Sequence, residues 1–492
     1  HDQLRDHLRD LGSRPEGSAV SLAERLAAAP LVGLVRGALA GDPEAWVAGG
    51  AVRDAALGRD VTDLDLAVAG DPAAAAKAVA GAGGGHAFEL SAEFATWRAA
   101  APDRSWQVDA TALRGETIEA DLAARDFTLG AVAVPLAGGE PVDPYGGLAD
   151  LERRRLRVVG EGSFAADPLR LLRAARLAAD LGLQVDPGTA ALARSEASRA
   201  AEAAGERQLA ELRCLLGGPD PLHGLALLDE LGLTVVVLPE VEALRGVEQG
   251  PNHHLDVHDH TMAVLERTLE VEGDLERFAG ERAAEVRELL DEPLADEMSR
   301  GTALRFGALL HDVGKPATRA ERDGYVTFIG HDSDGAEIVG GICRRLRASR
   351  RLTDHLRALT LHHLRLGFLV HEAPLPARRV HEYLRATEPV AADVTLLTVA
   401  DRLSARGSGP FASEEAIEAH LRLAREMLAA ALDWRRDGPP EPLLRGDELA
   451  AELGLEPGRE LGELLTELEA AQYAGEVSTR EQALERVHRL RG

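Results

Sequence analysis

Cysteine is nearly absent: the 492 residues hold two, Cys214 and Cys343, far apart and without companions. That pattern leaves no disulfide framework and reads as two buried free thiols in a reducing cytoplasm. Aromatic residues are only 3% of a chain that is 45% hydrophobic, so its cores must be built from Leu, Val and Ala, which favours helices. No run of about 18 uninterrupted apolar residues occurs, so no membrane span is expected. The opening residues, His1-Asp2-Gln3-Leu4-Arg5, lack the basic-then-apolar layout of a signal peptide. They also lack an initiator Met, which makes a truncated N-terminus the expectation. Positive charge is short as well. The formal net charge is -27, which argues against general affinity for nucleic acid, because neutralising phosphates needs Lys and Arg.

Any RNA ligand therefore requires local basic patches. Three stretches qualify: Arg153-Arg154-Arg155 with Arg157; Arg170, Arg173 and Arg176; and Arg344, Arg345, Arg347, Arg350 and Arg351. Arginine far outnumbers lysine, which favours planar contacts to phosphates and bases. The acidic bulk selects for a compact, shaped RNA over a long polymer.

Against these absences one stretch stands out, Trp46 to Leu66. It reads as a strand, a two-glycine turn, a short helix and a second strand. Gly49 and Gly50 leave the backbone bare where the helix begins, a place that attracts phosphate. Asp63 and Asp65, two residues apart on a strand, project from one face at a Cα separation of roughly 6.6 Å. Two carboxylates so placed can share a pair of divalent ions that clamp a reacting phosphoryl group.

The rest of the chain divides by composition. Residues 1–45 look helical, with Leu22, Leu26, Leu31 and Leu34 at near-helical spacing. Residues 46–155 mix strands and helices, with strand-like runs at Leu64–Ala69, Trp106–Ala110 and Thr128–Val134. Ala73–Gly85 reads as a helix entering a loop. From Leu156 the pattern is helical. The breaker cluster Gly217-Gly218-Pro219-Asp220-Pro221 marks a boundary near 220. A His- and Asp-rich helical domain then runs over 221–433, and Asp437-Gly438-Pro439-Pro440-Glu441-Pro442 introduces an acidic helical tail, 434–492. The fold class is α+β: a small mixed-sheet head, then an all-α neck (156–220), an all-α domain and a helical tail.

Further constellations carry chemistry. Asp109, in Trp106-Gln107-Val108-Asp109-Ala110, alternates so as to join Asp63 and Asp65 from a neighbouring strand. Arg53, one turn into the short helix, can reach across the glycine turn, while Asp54 in the same turn suits the helix dipole. Asp167-Pro168 is a helix start, with Asp as N-cap and Pro at the first helical position. Arg170, Arg173 and Arg176 follow on one face of a helix otherwise built to be buried. A second site centres on His311-Asp312, at the end of an apolar helical run, with His260 before it and Asp401 after it. These ligand types suit a divalent ion with open water positions. His331, with His362 or His363, can complete a second metal position, and His258 rivals His260 as first ligand.

These elements resemble the class II tRNA nucleotidyltransferase and poly(A) polymerase family, within the DNA-polymerase-β-like nucleotidyltransferases. Gly49-Gly50 with Arg53 and Asp63-x-Asp65 match its head signature. Ala124-Arg125-Asp126-Phe127-Thr128-Leu129-Gly130-Ala131 matches its Arg-Arg-Asp-Phe-Thr-Ile-Asn-Ala motif, with the first Arg and the Asn replaced. Asp143–Leu151 matches an element between head and neck, and Glu206-Arg207 the last neck motif. Residues 443–458 resemble the tail of HD-bearing members. His260, His311-Asp312 and Asp401 resemble the HD-domain phosphohydrolases. The resemblance implies an enzyme with Mg²⁺ on Asp63 and Asp65, and Asp109 activating the attacking hydroxyl. It further implies a triphosphate on Gly49, Gly50 and Arg53, and Asp167 and Arg170, assisted by Arg125, reading C or A as a protein template.

Two departures bear on the product. Only Ala110–Ala124 lies between Asp109 and Arg125, where full CCA-adding members often carry a longer flexible loop that helps switch the site from C to A. The tail is acidic, whereas poly(A) polymerases usually carry a basic extension. The expected function is transfer of CMP and/or AMP from CTP and ATP to a tRNA 3′ end, as CCA or only CC or A. The expected setting is the cytoplasm, away from membranes. A divalent metal of unspecified identity serves a phosphohydrolase at the HD site, hydrolysing phosphomonoesters or 2′,3′-cyclic phosphates. The alternatives are a protein that is chiefly an HD phosphatase, a poly(A) polymerase, or an RNA-binding scaffold with both sites silent.

Overall fold

The computed structural model describes residues 22–39, 44–92, 95–409 and 412–491. The first part of the expected N-terminal helical segment lies outside them. Within them, helices α1 (Leu22–Ala28) and α2 (Pro30–Ala38) bury Leu26, Leu31, Val32 and Val35. The chain forms two compact units, His1–Glu196 and Ala197–Gly492.

The first unit is built on a six-stranded mixed sheet. In chain order its elements are β1 (Ala45–Ala48), α3 (Gly50–Ala56), β2 (Asp63–Val68), α4 (Pro72–Gly83), β3 (His86–Ser91), β4 (Thr96–Ala100), β5 (Gln107–Ala112), α5 (Ile118–Ala123) and β6 (Ala133–Pro135). The spatial order is β3-β4-β5-β2-β1-β6. Strands β2 and β5 are parallel, and the other neighbours are antiparallel. Alternation on β2 sends Leu64 and Leu66 into a core shared with Val32, Val35, Val52, Ala76 and Val79. Asp63 and Asp65 therefore project from the opposite, open face. Each such buried Leu contributes about 1.5–3 kcal/mol, so a one-residue slip of β2 is strongly disfavoured and the carboxylates are held in place by the leucines between them.

Strands β3 and β4 lie in a stretch without strong alternation, Ala87 to Ala100, and form the edge of the sheet. Thr128–Val134, which reads as one strand, is divided: Thr128–Gly130 is a 3₁₀ turn and only the end enters β6. The Thr128 hydroxyl donates to buried Asp150 at 2.7 Å, which turns the backbone out of the strand. Asp150, in α6 (Gly147–Glu152), also accepts from Arg155 at 2.7 Å and Arg157 at 3.0 Å. The neck helix α7 (Arg170–Leu181) follows, its buried face built from Leu and Ala.

The second unit is helical, with two short strand pairs added, Pro293–Ala295 with Met298–Ser299 and Ala320–Arg322 with Tyr325–Thr327. The helix Gly205–Gly217 ends at the expected breaker cluster, and Asp220 caps the next helix. Helices α8 (Val257–Gly273) and α9 (Arg300–Leu310) pack together, followed in sequence by α10 (His331–Arg345), α11 (Arg350–His362) and α12 (Ala377–Thr387). Helix α13 (Ala391–Ser404) is buried on almost every side, and α14 (Glu414–Asp437) covers it. The tail helix α15 (Arg459–Tyr473) docks on α12, where His381 Nε2 meets Glu469 at 2.9 Å and Arg378 meets Glu467 at 2.9 Å. Cys214 is half-buried and Cys343 buried, both free. Among the described residues no helix is long and apolar enough to cross a membrane.

Candidate active sites

In the first unit, the turn after β1 places three predicted groups together. Gly49 takes φ +69°, and a Cβ there would lie 2.6 Å from Arg125 Nη1 and 2.9 Å from Asp65 Oδ2. A bare backbone is thus required by close approach as well as by the turn. The Gly50 N–H bonds the Asp65 carboxylate. Register sets Asp65 directly beside Asp109 on the parallel strand β5. Loss of solvation on the crowded floor of this face raises the Asp65 pKa. Arg125 opposes that shift, Asp109 adds to it, and Gly50 and Arg53 oppose it again. Arg53 is held by its neighbour Asp54 through two bonds of 2.9 Å, so Asp54 orients that side chain; the helix starts at Gly50 and Asp54 is its fifth residue, past the first turn where the dipole is expected to favour it.

Asp109 has a partner that sequence reading missed. Arg98, opposite it on β4, donates from Nε and Nη2 to the two carboxylate oxygens, both at 2.7 Å. Seeing this required recognising β4 as a strand. Bidentate pairing of this kind is strong and directional, and it sets Asp109 apart from Asp63 and Asp65. Among the described residues of the first unit, no three His, Cys, Asp or Glu ligand atoms lie within 4.8 Å of one another. The donor set itself, oxygens only and open to solvent, suits a hard ion such as Mg²⁺ that keeps waters and takes phosphate oxygens.

The predicted base-reading groups lie beside this face in the same unit. Arg125 donates to Asp121 at 3.1 and 3.2 Å. Arg170 donates to the carbonyls of Ala124 at 2.7 Å, Arg125 at 3.3 Å and Ser163 at 3.3 Å, tying the start of α7 to the Arg125 segment. Burial lowers its pKa. Asp167 accepts from the Leu169 N–H at 3.2 Å, but α7 begins at Arg170, so the expected Asp167 cap and Pro168 first position fall in the turn that precedes the helix. Arg173 donates to Asp126 at 2.9 Å, and Arg176 to Asp180 at 2.9 Å. Burial opposes the charge of Asp126, but Arg173, the Phe127 N–H and Arg170 hold its pKa below the usual value. The three arginines are thus bound into the unit.

In the second unit a closed cluster forms around Asp312. His260 Nε2 lies 3.0 Å from Asp401 and 3.7 Å from Asp312, and His311 Nε2 lies 3.1 Å from Asp312. On the other oxygen of Asp312 are His331 at 3.4 Å and His363 at 3.7 Å. Two three-ligand groups result, His260–His311–Asp312 and Asp312–His331–His363, with Asp312 common to both. Of each open pair, one member lies at the cluster. His363 faces the cluster, while His362 accepts from Arg365 at 2.8 Å on the outside. His258 bonds its neighbour Asp259 and stands apart from the group around Asp312.

Local backbone explains the convergence. A Cβ on Gly314 would lie 2.1 Å from the His331 carbonyl oxygen and 2.7 Å from the Gly335 nitrogen, so only glycine lets the end of α9 meet the start of α10. His311, His331 and His363 each direct Nδ1 at the carbonyl three residues earlier, at 2.8, 2.7 and 2.6 Å. This turns each Nε2 inward toward Asp312, the usual support of a metal-binding imidazole. His260 Nε2, His311 Nε2 and both Asp312 oxygens are buried yet lack a well-directed hydrogen bond despite their closeness. Burial holds His260 neutral and lowers His363 to about 4. Burial opposes charge on His311 and on Asp312, but Asp312 raises the His311 pKa, and His311 with Lys315 holds the Asp312 carboxyl well below the usual carboxylate range. Buried donors that converge without directed partners, around a shared carboxylate, fit a pair of divalent cations.

Lys315, three residues after Asp312, is a further charged group at the cluster. Its Nζ meets Asp312 at 2.6 Å and Gln249 Oε1 at 2.7 Å. Both line a cavity of about 470 Å³ that opens beside the cluster, with Phe328, Ile329, Leu364 and Phe368 as apolar wall.

Comparison with known proteins accords with this division. Residues 45–157 match the family described as Poly A polymerase head domain, residues 182–244 the probable RNA and SrmB- binding site of polymerase A, and residues 257–406 the HD domain. The chain is 38% identical over 449 residues to the A-adding tRNA nucleotidyltransferase of Deinococcus radiodurans, spanning 90% of this chain and 94% of that one. It is 34% identical to the CC-adding tRNA nucleotidyltransferase of Thermus thermophilus, over 89% and 92% of the two chains. A CCA-adding enzyme solved with ATP has the same fold, with a TM-score of 0.61, 20% identity and coverage of 94% and 95%.

Proposed function

Starting from the fact that the chain belongs to the tRNA nucleotidyltransferase family, in the branch that carries an HD domain, we propose that it adds only one part of the CCA end, either the C residues or the final A. The observation that carries this reading is the connection from β5 to α5. It spans only Leu113–Thr117 and is pinned at both ends: the Arg114 N–H donates to Asp121 at 3.2 Å, and Thr117 caps α5. A site whose adjoining loop is short and tied down has no segment with which to change its nucleotide preference. The same reading places the work in the cytoplasm.

Asp63 and Asp65 would hold Mg²⁺ together with the triphosphate of CTP or ATP. The bound metal supplies charge neutralisation of the phosphates and activation of the tRNA 3′ hydroxyl. The protein's own part is positional. The Gly49–Gly50 backbone and Arg53 grip the triphosphate. Arg98 aims Asp109 through its two hydrogen bonds. Arg170, bound to the Ala124 and Arg125 carbonyls, fixes the segment from which Arg125 and Asp167 read the base. The test incubates the protein and Mg²⁺ with labelled CTP or ATP and a tRNA ending either at the discriminator base or at CC. Incorporation of one nucleotide on one of these substrates is expected. Completion of CCA by the protein alone would overturn partial addition, and incorporation of neither nucleotide would overturn the transferase reading.

A second reading concerns the HD site, where the two ligand groups sharing Asp312 favour a metal-dependent phosphohydrolase. His260, His311, Asp312, His331, His363 and Asp401 would hold the divalent ions, which supply an activated water and polarise the phosphoryl oxygens. Lys315 would hold a substrate phosphate in the adjoining cavity. Phosphomonoesters and 2′,3′-cyclic nucleotides, offered with a panel of divalent metals, test it. Absence of hydrolysis with every metal would sink it.

A further inference from the structure

Three stretches of this acidic chain are dense enough in arginine to meet RNA, and the structure sorts them. In the first, Arg155 and Arg157 are ion-paired with buried Asp150 and Arg154 donates to the Leu181 carbonyl, which leaves Arg153 as a single exposed arginine beside them and not a cluster. In the second, Arg170, Arg173 and Arg176 are spent on carbonyls and carboxylates of their own unit. The third is different. Arg344, Arg345, Arg347, Arg350 and Arg351 are all exposed and crowd the corner where α10 turns into α11.

What marks this corner is arginine where the backbone would favour something else. Helix α10 ends in a Schellman turn: the Ala348 N–H bonds the Cys343 carbonyl at 2.9 Å, around Arg347 at φ +53°. That is the left-handed position glycine normally fills. Arg350 and Arg351 open α11, where the positive end of the helix dipole disfavours cations. The Arg350 side chain is 93% exposed, with only a 3.4 Å contact to Asp354, and Arg347 is 68% exposed beside Glu206. Arg344 and Arg351 have no ion-pair partner among the described residues. Glu240 holds Arg345 at 2.7 Å as a fixed post in the middle. Arg344 and Arg345 suit a helix C-terminus, but neither the turn nor the dipole accounts for Arg347, Arg350 and Arg351.

We propose that this corner is a docking surface for the sugar–phosphate backbone of the RNA substrate. It rests on the transferase reading above. Within a chain of net charge -27, a local cluster of exposed guanidiniums is what a polyanion needs in order to approach. The contact carries no sequence information. It holds the body of the RNA and reads no base.

The experiment uses the full chain as wild type and as the triple variant Arg347→Gly/Arg350→Gln/Arg351→Gln. Each change agrees with the local backbone, so the melting temperature is expected to stay level or rise. The dissociation constant for unmodified tRNA, measured by filter binding across a salt series, is expected to increase about tenfold at low salt. The slope of log K against log salt should become shallower by about 2–3, near one per phosphate contact removed. A wild type that incorporates nucleotide, with a variant of unchanged affinity and slope, overturns the docking surface and leaves the transferase reading intact. A wild type that binds tRNA but incorporates nothing overturns that reading instead. A variant that melts lower and binds less overturns the proposal in favour of a structural role, unless Arg350→Gln/Arg351→Gln alone retains both full stability and the binding defect.

Discussion

Asp65 in the first unit and Asp312 in the second are each the central carboxylate of a site, and they live in opposite surroundings. Asp65 is exposed on an open sheet face, with arginines as its neighbours and oxygens as its only fellow ligands. Asp312 is 1% exposed, ringed by imidazoles whose outer nitrogens are already committed to carbonyls. The first arrangement would leave most of a metal's coordination to water and to an incoming triphosphate, so ion and nucleotide would arrive together. The second would supply the ligands itself and pre-orients them, so an ion bound there would be part of the folded state. One chain thus pairs an open cluster of carboxylates with a closed cluster of imidazoles around a carboxylate.

The most severe way to break this contrast is the double change Asp63→Ala/Asp65→Ala. Nucleotide incorporation should fall by about 10³-fold or more, equivalent to about 4 kcal/mol of transition-state stabilisation. Metal retained on the purified protein, read by elemental analysis, should be unaffected. Asp312→Ala should do the reverse. Retained metal should be lost, and stability should drop by about 3–5 kcal/mol, because Lys315 and the imidazoles lose their counter-charge. Incorporation surviving the first change, or metal surviving the second, would erase the distinction.

The two glycines sharpen it further. Gly314→Ala brings a methyl against backbone that cannot yield, and an overpacking cost of about 1–3 kcal/mol is expected in thermal melts, together with metal loss. Gly49→Ala meets the far ends of two flexible side chains, so its stability cost should be about 1 kcal/mol, mostly from the positive φ. It should still depress incorporation strongly, by displacing Arg125 and Asp65. Equal stability losses at the two positions would argue against an open, adjustable head.

The smallest effect is on pH. The Asp65 pKa is raised, so its ionised form is lost as pH falls through that elevated value, earlier than for a free carboxylate. Asp109→Asn removes a negative neighbour and should move the acid limb of the rate profile to lower pH. Arg98→Gln strips Asp109 of its counter-cation and should move that limb upward. A profile that stays in place in both variants would mean that Asp65 does not limit the rate on the acid side.

Much of both sites was legible in the residues. Asp63 and Asp65 were readable because a strand's period of two is rigid, and the glycine turn because a close approach needs a bare backbone. His260, His311, Asp312 and Asp401 were readable as a set by residue type and spacing. Arg98 was not, since Ala87–Ala100 lacks the alternation that reveals a strand, and its partnership with Asp109 exists only through cross-strand register. Choosing His363 over His362 depended on the rotation of α11 at its last turn, a 100° difference that spacing cannot resolve. The arginines of α7 looked free on a helical wheel, whereas their donors are consumed by carbonyls and carboxylates brought in from elsewhere in the unit.

By itself, then, the amino-acid sequence determined the inventory: which residues carry charge or can ligate a metal, at which period, and next to which backbone constraints. These are local properties, set by covalent geometry over a few residues. Only the tertiary structure decided which of those groups are spent on one another and which stay available. Arg98 neutralises Asp109, Arg170 binds two carbonyls of the Arg125 segment, and the corner at Arg347, Arg350 and Arg351 remains exposed. Pairing of that kind depends on distances between residues remote in the chain, which packing alone sets.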